Sequence, residues 1–171
     1  IGNNALLVNT TGTQNVALGT NALDAAVSVN NNTAIGYNAL TVCTIGDNTA
    51  VGAESMLVAT SGTQDVFVGM FSGTTLTTGT NCTGVGYAAL DEVTTGSENT
   101  SLGSAAGGAV TTGASNTFVG YLSGTYAVGN TTGSGNTAIG QNAACKQTDA
   151  SNNVAVGRDS LLCNVSGGNN T

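Results

Sequence analysis

The side chains able to do chemistry are few. Cysteines stand at Cys43, Cys82, Cys145 and Cys163, and the only bases are Lys146 and Arg158. Acids stand at Asp24, Asp47, Glu54, Asp65, Asp91, Glu92, Glu98, Asp149 and Asp159, and there is no histidine. Without imidazole the chain has neither Ser-His-Asp nor Cys-His catalysis, and no imidazole metal site. Two bases cannot neutralise a phosphate backbone, so nucleic acid is not an expected partner. Calcium takes roughly six to eight oxygens, and only Asp91 and Glu92 adjoin. No Cys-x-x-Cys spacing points to zinc. The chain reads as a non-enzyme without metal or cofactor, most of its acids solvated.

Charged residues make up 6% of the 171 positions, against roughly 25% in ordinary soluble proteins. With 26 Gly, no Pro, no Trp and 4% aromatics, large core side chains are scarce. The net charge of −7 is spread along the chain and favours solubility. No apolar run approaches the roughly 18 residues of a membrane-spanning helix. An opening with Ile1-Gly2 reads as a cut from a longer chain, so residues 1–171 are expected to be one repeat segment of it.

What must position these residues is a repeat, the first feature to seek. Its anchor glycines are Gly2, Gly19, Gly36, Gly52, Gly69, Gly86, Gly103, Gly120, Gly140 and Gly157, spaced 17, 17, 16, 17, 17, 17, 17, 20 and 17 apart. The short interval loses a residue near Cys43 to Gly46, and the long one gains three near Thr125 to Gly129. Glycine at such intervals, with Thr and Val between, excludes helix. Alternating runs such as Thr33-Ala34-Ile35 and Val66-Phe67-Val68 predict short strands, with Gly and Asn supplying left-handed corners. The expectation is an all-β solenoid, a parallel β-roll of about ten coils.

Several columns follow from this frame. Asn15, Asn32, Asn48, Asn99, Asn116, Asn136 and Asn153 share one register, with Asp65 substituting once. A polar array of this kind could bind ice, glycan or ions. The reading preferred is a structural ladder, each amide bonding backbone at a corner and its copies above and below. Thr pairs such as Thr77-Thr78 and Thr94-Thr95 invite an ice-binding reading. Adjacent threonines point to opposite sides of a strand and Gly follows them, so a turn with exposed hydroxyls is expected. The cysteines form no column, and most are expected as buried thiols acting as small apolar residues. A Cys145–Cys163 disulfide is the alternative, although a one-residue offset between their coils turns them apart. Asn-x-Ser/Thr sequons occur at Asn9, Asn31, Asn81, Asn99, Asn130 and Asn164.

Each coil offers only three or four small or medium apolar side chains, such as Ala34, Ile35, Ala39 and Leu40. The aromatics Tyr37, Phe67, Phe71, Tyr87, Phe118 and Tyr121 recur near the anchor glycine and are expected to fill one seam. So thin a core predicts rolls packed side by side, as a homotrimer.

The motif Asn-x-Ala-aliphatic-Gly-x-x-[Ala/Ser], at Asn15, Asn32, Asn48, Asn136 and Asn153, resembles the head repeat of YadA-like trimeric autotransporter adhesins. The added Asn-Ala-Leu and Thr-Thr-Gly are similar to repeats of phage tail-fibre proteins. The resemblance implies left-handed rolls in trimers. The period of 17 is longer than in YadA-type heads, and Cys82 and Gly84 stand where Asn and Ala are usual. The implied function is a structural shaft of a virion or extracellular fibre that carries a receptor-binding tip for host attachment. Its partners would be its own copies, other fibre or virion proteins, and host surface glycan, with no membrane insertion. The alternatives are a bacterial surface adhesin binding glycan or matrix directly, at irregular coils such as 25–30 and 125–129, and an ice-binding solenoid.

Overall fold

The computed structural model describes residues 1–124 and 131–171. The expansion at Thr125 to Gly129 and the sequon at Asn130 lie outside the described residues. The strands are β1 (Val16–Leu18), β2 (Thr33–Ile35), β3 (Val42–Cys43), β4 (Thr49–Val51), β5 (Val58–Ala59), β6 (Val66–Val68), β7 (Thr83–Val85), β8 (Thr100–Leu102), β9 (Thr117–Val119), β10 (Thr137–Ile139) and β11 (Val154–Val156). β3 and β5 pair in a two-stranded parallel sheet. The other nine form one parallel sheet in chain order. In it Ala17 lies opposite Ala34, Ala50 opposite Phe67 and Ala138 opposite Ala155. The fold is an all-β solenoid without helix among the described residues. Its nine strands enclose eight turns, two fewer than the ten anchors suggest. The first coil has no strand of its own, but stacks on the second: the Ile1 carbonyl accepts the Gly19 N–H at 2.8 Å and the Leu6 N–H donates to the Ala22 carbonyl at 3.1 Å.

The anchor glycines have a double cause. Gly69 has φ +142°, and a methyl group there would lie 2.2 Å from the Gly86 carbonyl oxygen of the next coil. Coils about 4.8 Å apart leave no room for it.

The other left-handed corners differ from expectation. Besides Asn, they hold Leu23 (φ 54°), Leu40 (φ 49°), Met56 (φ 47°) and Leu90 (φ 51°). Such backbone costs roughly 1–2 kcal/mol per residue. Here each N–H is fixed to the next coil, Leu23 to Ala39 at 3.0 Å and Met56 to Ser72 at 2.9 Å. All four side chains are fully buried, so ladder bond and burial together outweigh the strain.

The core forms where the middle residue of each strand meets the residue six positions later. Most strands place Ala there, as with Ala34 and Leu40. In two strands Phe replaces Ala and Gly replaces the later residue. A methyl group on Gly73 would lie 2.7 Å from the Phe67 ring, and one on Gly124 would lie 2.3 Å from the Phe118 ring. The aromatics therefore do not fill one seam. Phe67 and Phe118 are buried, whereas Tyr37, Tyr87 and Tyr121, one residue after their anchor glycines, are half exposed. Phe71 meets Tyr87 edge-on, with ring centroids 5.9 Å apart.

Candidate functional site

The asparagine column runs up one corner of the stack, immediately before each strand. Its members do two jobs. Each side-chain oxygen accepts the backbone N–H of its successor: Asn15 from Asn32 at 3.0 Å, Asn99 from Asn116 at 3.0 Å, Asn116 from Asn136 at 2.9 Å and Asn136 from Asn153 at 3.0 Å. Each Nδ2 donates to a turn carbonyl in the next coil: Asn48 to Gly62 at 3.0 Å, Asn99 to Gly113 at 2.8 Å and Asn153 to Gly167 at 3.0 Å. Buried amides are thus satisfied without water.

The ladder also absorbs the irregular coils. Asn32 reaches Ile45 after 13 residues, Asn48 reaches Gly62 after 14 and Asn116 reaches Gly133 after 17. Across both irregular intervals the sheet stays in register, with Thr33 opposite Thr49 and Thr117 opposite Thr137.

Two rungs are unusual. Asp65 donates its N–H to Asn48 Oδ1 at 3.0 Å and accepts the Cys82 N–H on Oδ1 at 2.8 Å. Its Oδ2 is buried and has no partner. Asp65 keeps the place of an Asn in the column and is no solvated acid: it is fully buried, and burial pushes its carboxyl up to about 7. Cys82 keeps the donor role with sulfur, its thiol donating to the Gly96 carbonyl at 3.3 Å. Burial pushes that thiol up to about 11.

A second ladder runs through the first threonine of the Thr pairs. Thr77 donates its hydroxyl to the Thr94 carbonyl at 3.0 Å, and Thr94 to Thr111 at 3.1 Å. The expected turn of exposed hydroxyls is therefore half right. Thr78, Thr95 and Thr112 face solvent while their predecessors are structural rungs.

The cysteines are all free thiols. Cys145 is buried and Cys163 exposed, so the alternative of a Cys145–Cys163 bridge does not hold. The one-residue offset sends one thiol inward and the other to the surface. Among the described residues no three Cys, Asp or Glu side chains gather as a metal-holding group.

The outer face of the nine-stranded sheet is the remaining continuous surface. The residue before each anchor glycine points outward: Leu18, Ile35, Val51, Val68, Val85, Leu102, Val119, Ile139 and Val156. Every one is aliphatic. Leu18, Leu102, Ile139 and Val156 are 41–66% exposed. Two residues earlier runs a second outward file, Thr33, Thr49, Thr83, Thr100, Thr117 and Thr137 interrupted by Val16, Val66 and Val154. No acid or base stands in either file.

No family model, curated protein or solved structure matches this chain.

The site is therefore read from its own geometry. It consists of a closed polar ladder inside one corner and an uncharged, periodic, half-exposed sheet face outside. The sequence reading placed the Asn column but missed the outer aliphatic file. Its signal was available in the aliphatic residue standing before all nine anchor glycines from Gly19 to Gly157.

Proposed function

We propose that the chain is a structural shaft segment of an extracellular or virion fibre, built as a homotrimer around this sheet face and carrying a receptor-binding tip for host attachment. The observation that supports this reading is the uninterrupted aliphatic file, exposed at Leu18, Leu102, Ile139 and Val156 and partly exposed at the five positions between them. A soluble chain with this little charge gains by covering so long an apolar strip. The strip repeats with every coil, so a partner must share its period. Further copies of the same chain, in register about an axis parallel to the stack, meet that condition at every level. The trimeric number and a left-handed coil come from the resemblance to YadA-like and tail-fibre repeats.

The ladders suit the same role. Each coil is closed by side-chain amides, threonine hydroxyls and sheet bonds to the next, so length can change by whole coils without a new core.

A charge in the file tests the assembly. Val85→Asp should reduce the particle to monomers of 16.6 kDa and keep the β-sheet circular dichroism. An unchanged oligomeric mass with Asp at this position would refute the seam. Binding of the native chain to a glycan array would favour the adhesin reading over a passive shaft.

A further inference from the structure

Asp65 carries the strongest unexplained geometry in the molecule. Along the ladder, the second side-chain atom is a hydrogen-bond donor to a turn carbonyl. Nδ2 of Asn48, Asn99 and Asn136 reaches Gly62, Gly113 and Ala150, and the thiol of Cys82 reaches Gly96, all 14 residues ahead. The equivalent carbonyl for Asp65 is that of Gly79. Among the described residues it accepts no hydrogen bond, and Asp65 Oδ2 has no partner either.

Oδ2 occupies the donor's position. A methyl group on Gly62, three residues before Asp65, would lie 2.9 Å from Oδ2. The same construction on Gly96, Gly113 and Gly133 meets Nδ2 of Asn99, Asn116 and Asn136 at 3.0, 3.2 and 3.2 Å. An ionised carboxylate has no proton to offer there. It would set one buried acceptor towards another, at the cost of an uncompensated charge.

We infer that Asp65 is a proton-binding rung: a neutral carboxylic acid whose Oδ2–H donates to the Gly79 carbonyl and completes the ladder between its flanking coils. Ionisation breaks the O–H bond, passes the proton to water and leaves Oδ2 and the Gly79 carbonyl oxygen unpaired, while Oδ1 keeps the Cys82 N–H. The coil from Asp65 to Cys82 is then the point at which the stack loosens as pH rises. The titratable group facing Asp65 is the Cys82 thiol of the following coil, itself held neutral by burial. Asp47, next to Asn48, is bonded outward to Asn31, and Glu98, next to Asn99, outward to Ser115. Among the described residues neither bases nor other acids are bonded to Asp65.

The folded carboxyl titrates at about 7 against an ordinary 3.8. A raised acid leaves stability unchanged below the lower value. It removes stability as pH climbs between the two, and has no further effect above the higher. The test compares the native chain with Asp65→Asn, which restores the amide used by the other rungs. Between about pH 4 and pH 7 the native unfolding constant, relative to that of Asp65→Asn, should rise by about tenfold per pH unit. Parallel stability curves would overturn the inference. Carboxyl carbon NMR on the native chain decides the same point without a variant. The Asp65 resonance should stay in its protonated position at about pH 5.5, between the ordinary and the raised values, and an ionised signal there would overturn it.

Discussion

The ring of Phe67 fills the space that a side chain on Gly73 would need: a methyl group at Gly73 would lie 2.7 Å from the ring carbons. Gly84, opposite Phe67 in the next strand, yields space as well, with its methyl position 2.5 Å from the ring. One large residue and two absent side chains together keep the core volume that Ala and Leu supply in other coils.

That coupling predicts a rescue. Phe67→Ala should cost about 3–5 kcal/mol through the cavity it leaves. Gly73→Leu alone should destabilise by overpacking. The double variant Phe67→Ala/Gly73→Leu rebuilds the Ala34–Leu40 arrangement and should recover most of the loss. Denaturant midpoints in a double-mutant cycle measure it, and additive losses would contradict the pairing.

The two causes of the anchor glycines separate at the end of the stack. Gly69 combines φ +142° with the Gly86 carbonyl 2.2 Å from a methyl position, whereas Gly157 has φ +115° and nothing within 4 Å. Gly157→Ala should cost only the backbone strain, about 1–3 kcal/mol. Gly69→Ala should cost clearly more, because its methyl group must also push neighbouring coils apart. Equal shifts in thermal midpoint would show that interstrand contact is not the cause.

Asn116 links Asn99 below it to Asn136 above it and bonds the Gly133 carbonyl. Asn116→Ala leaves the buried Asn136 N–H and the Gly133 carbonyl without partners, a loss of about 2–4 kcal/mol. Substituting the exposed Asn3, which lies outside the left-handed corners, by Ala removes no rung and should change stability by less than about 0.5 kcal/mol. Comparable losses at the two positions would argue against a ladder.

The thiols offer a check on which faces point inward. In the folded chain a maleimide should modify Cys163 alone, and should reach Cys43, Cys82 and Cys145 only after unfolding. Burial raises the thiols of Cys43 and Cys82, so mildly alkaline buffer should not expose them. Fast labelling of Cys82 at about pH 8, near the ordinary thiol value, would contradict its place in the ladder.

The repeat was legible because one residue type returns to one register. Asn15, Asn32 and Asn48 announce the corner, and the alternation in Thr33-Ala34-Ile35 announces a strand with its middle residue inward. What was not read depended on combinations of positions. Phe67 and Tyr87 both lie near an anchor glycine, but one stands two residues before it and the other one after, which sends them to opposite sides. The pairing of Phe67 with Gly73 and of Phe118 with Gly124, each six residues apart, carried that information. Asp65 was read as equivalent to Asn because their shapes match, although only the amide owns a donor. Leu23 and Met56 could not be read as left-handed corners from propensity, since the next coil imposes that backbone.

The central claim, a fibre shaft assembled on the outer sheet face, is tested most directly by absolute mass in solution. Multi-angle light scattering of the 171-residue chain should give three times its 16.6 kDa, unchanged on dilution to low micromolar concentration. A single 16.6 kDa species with the solenoid intact would contradict it.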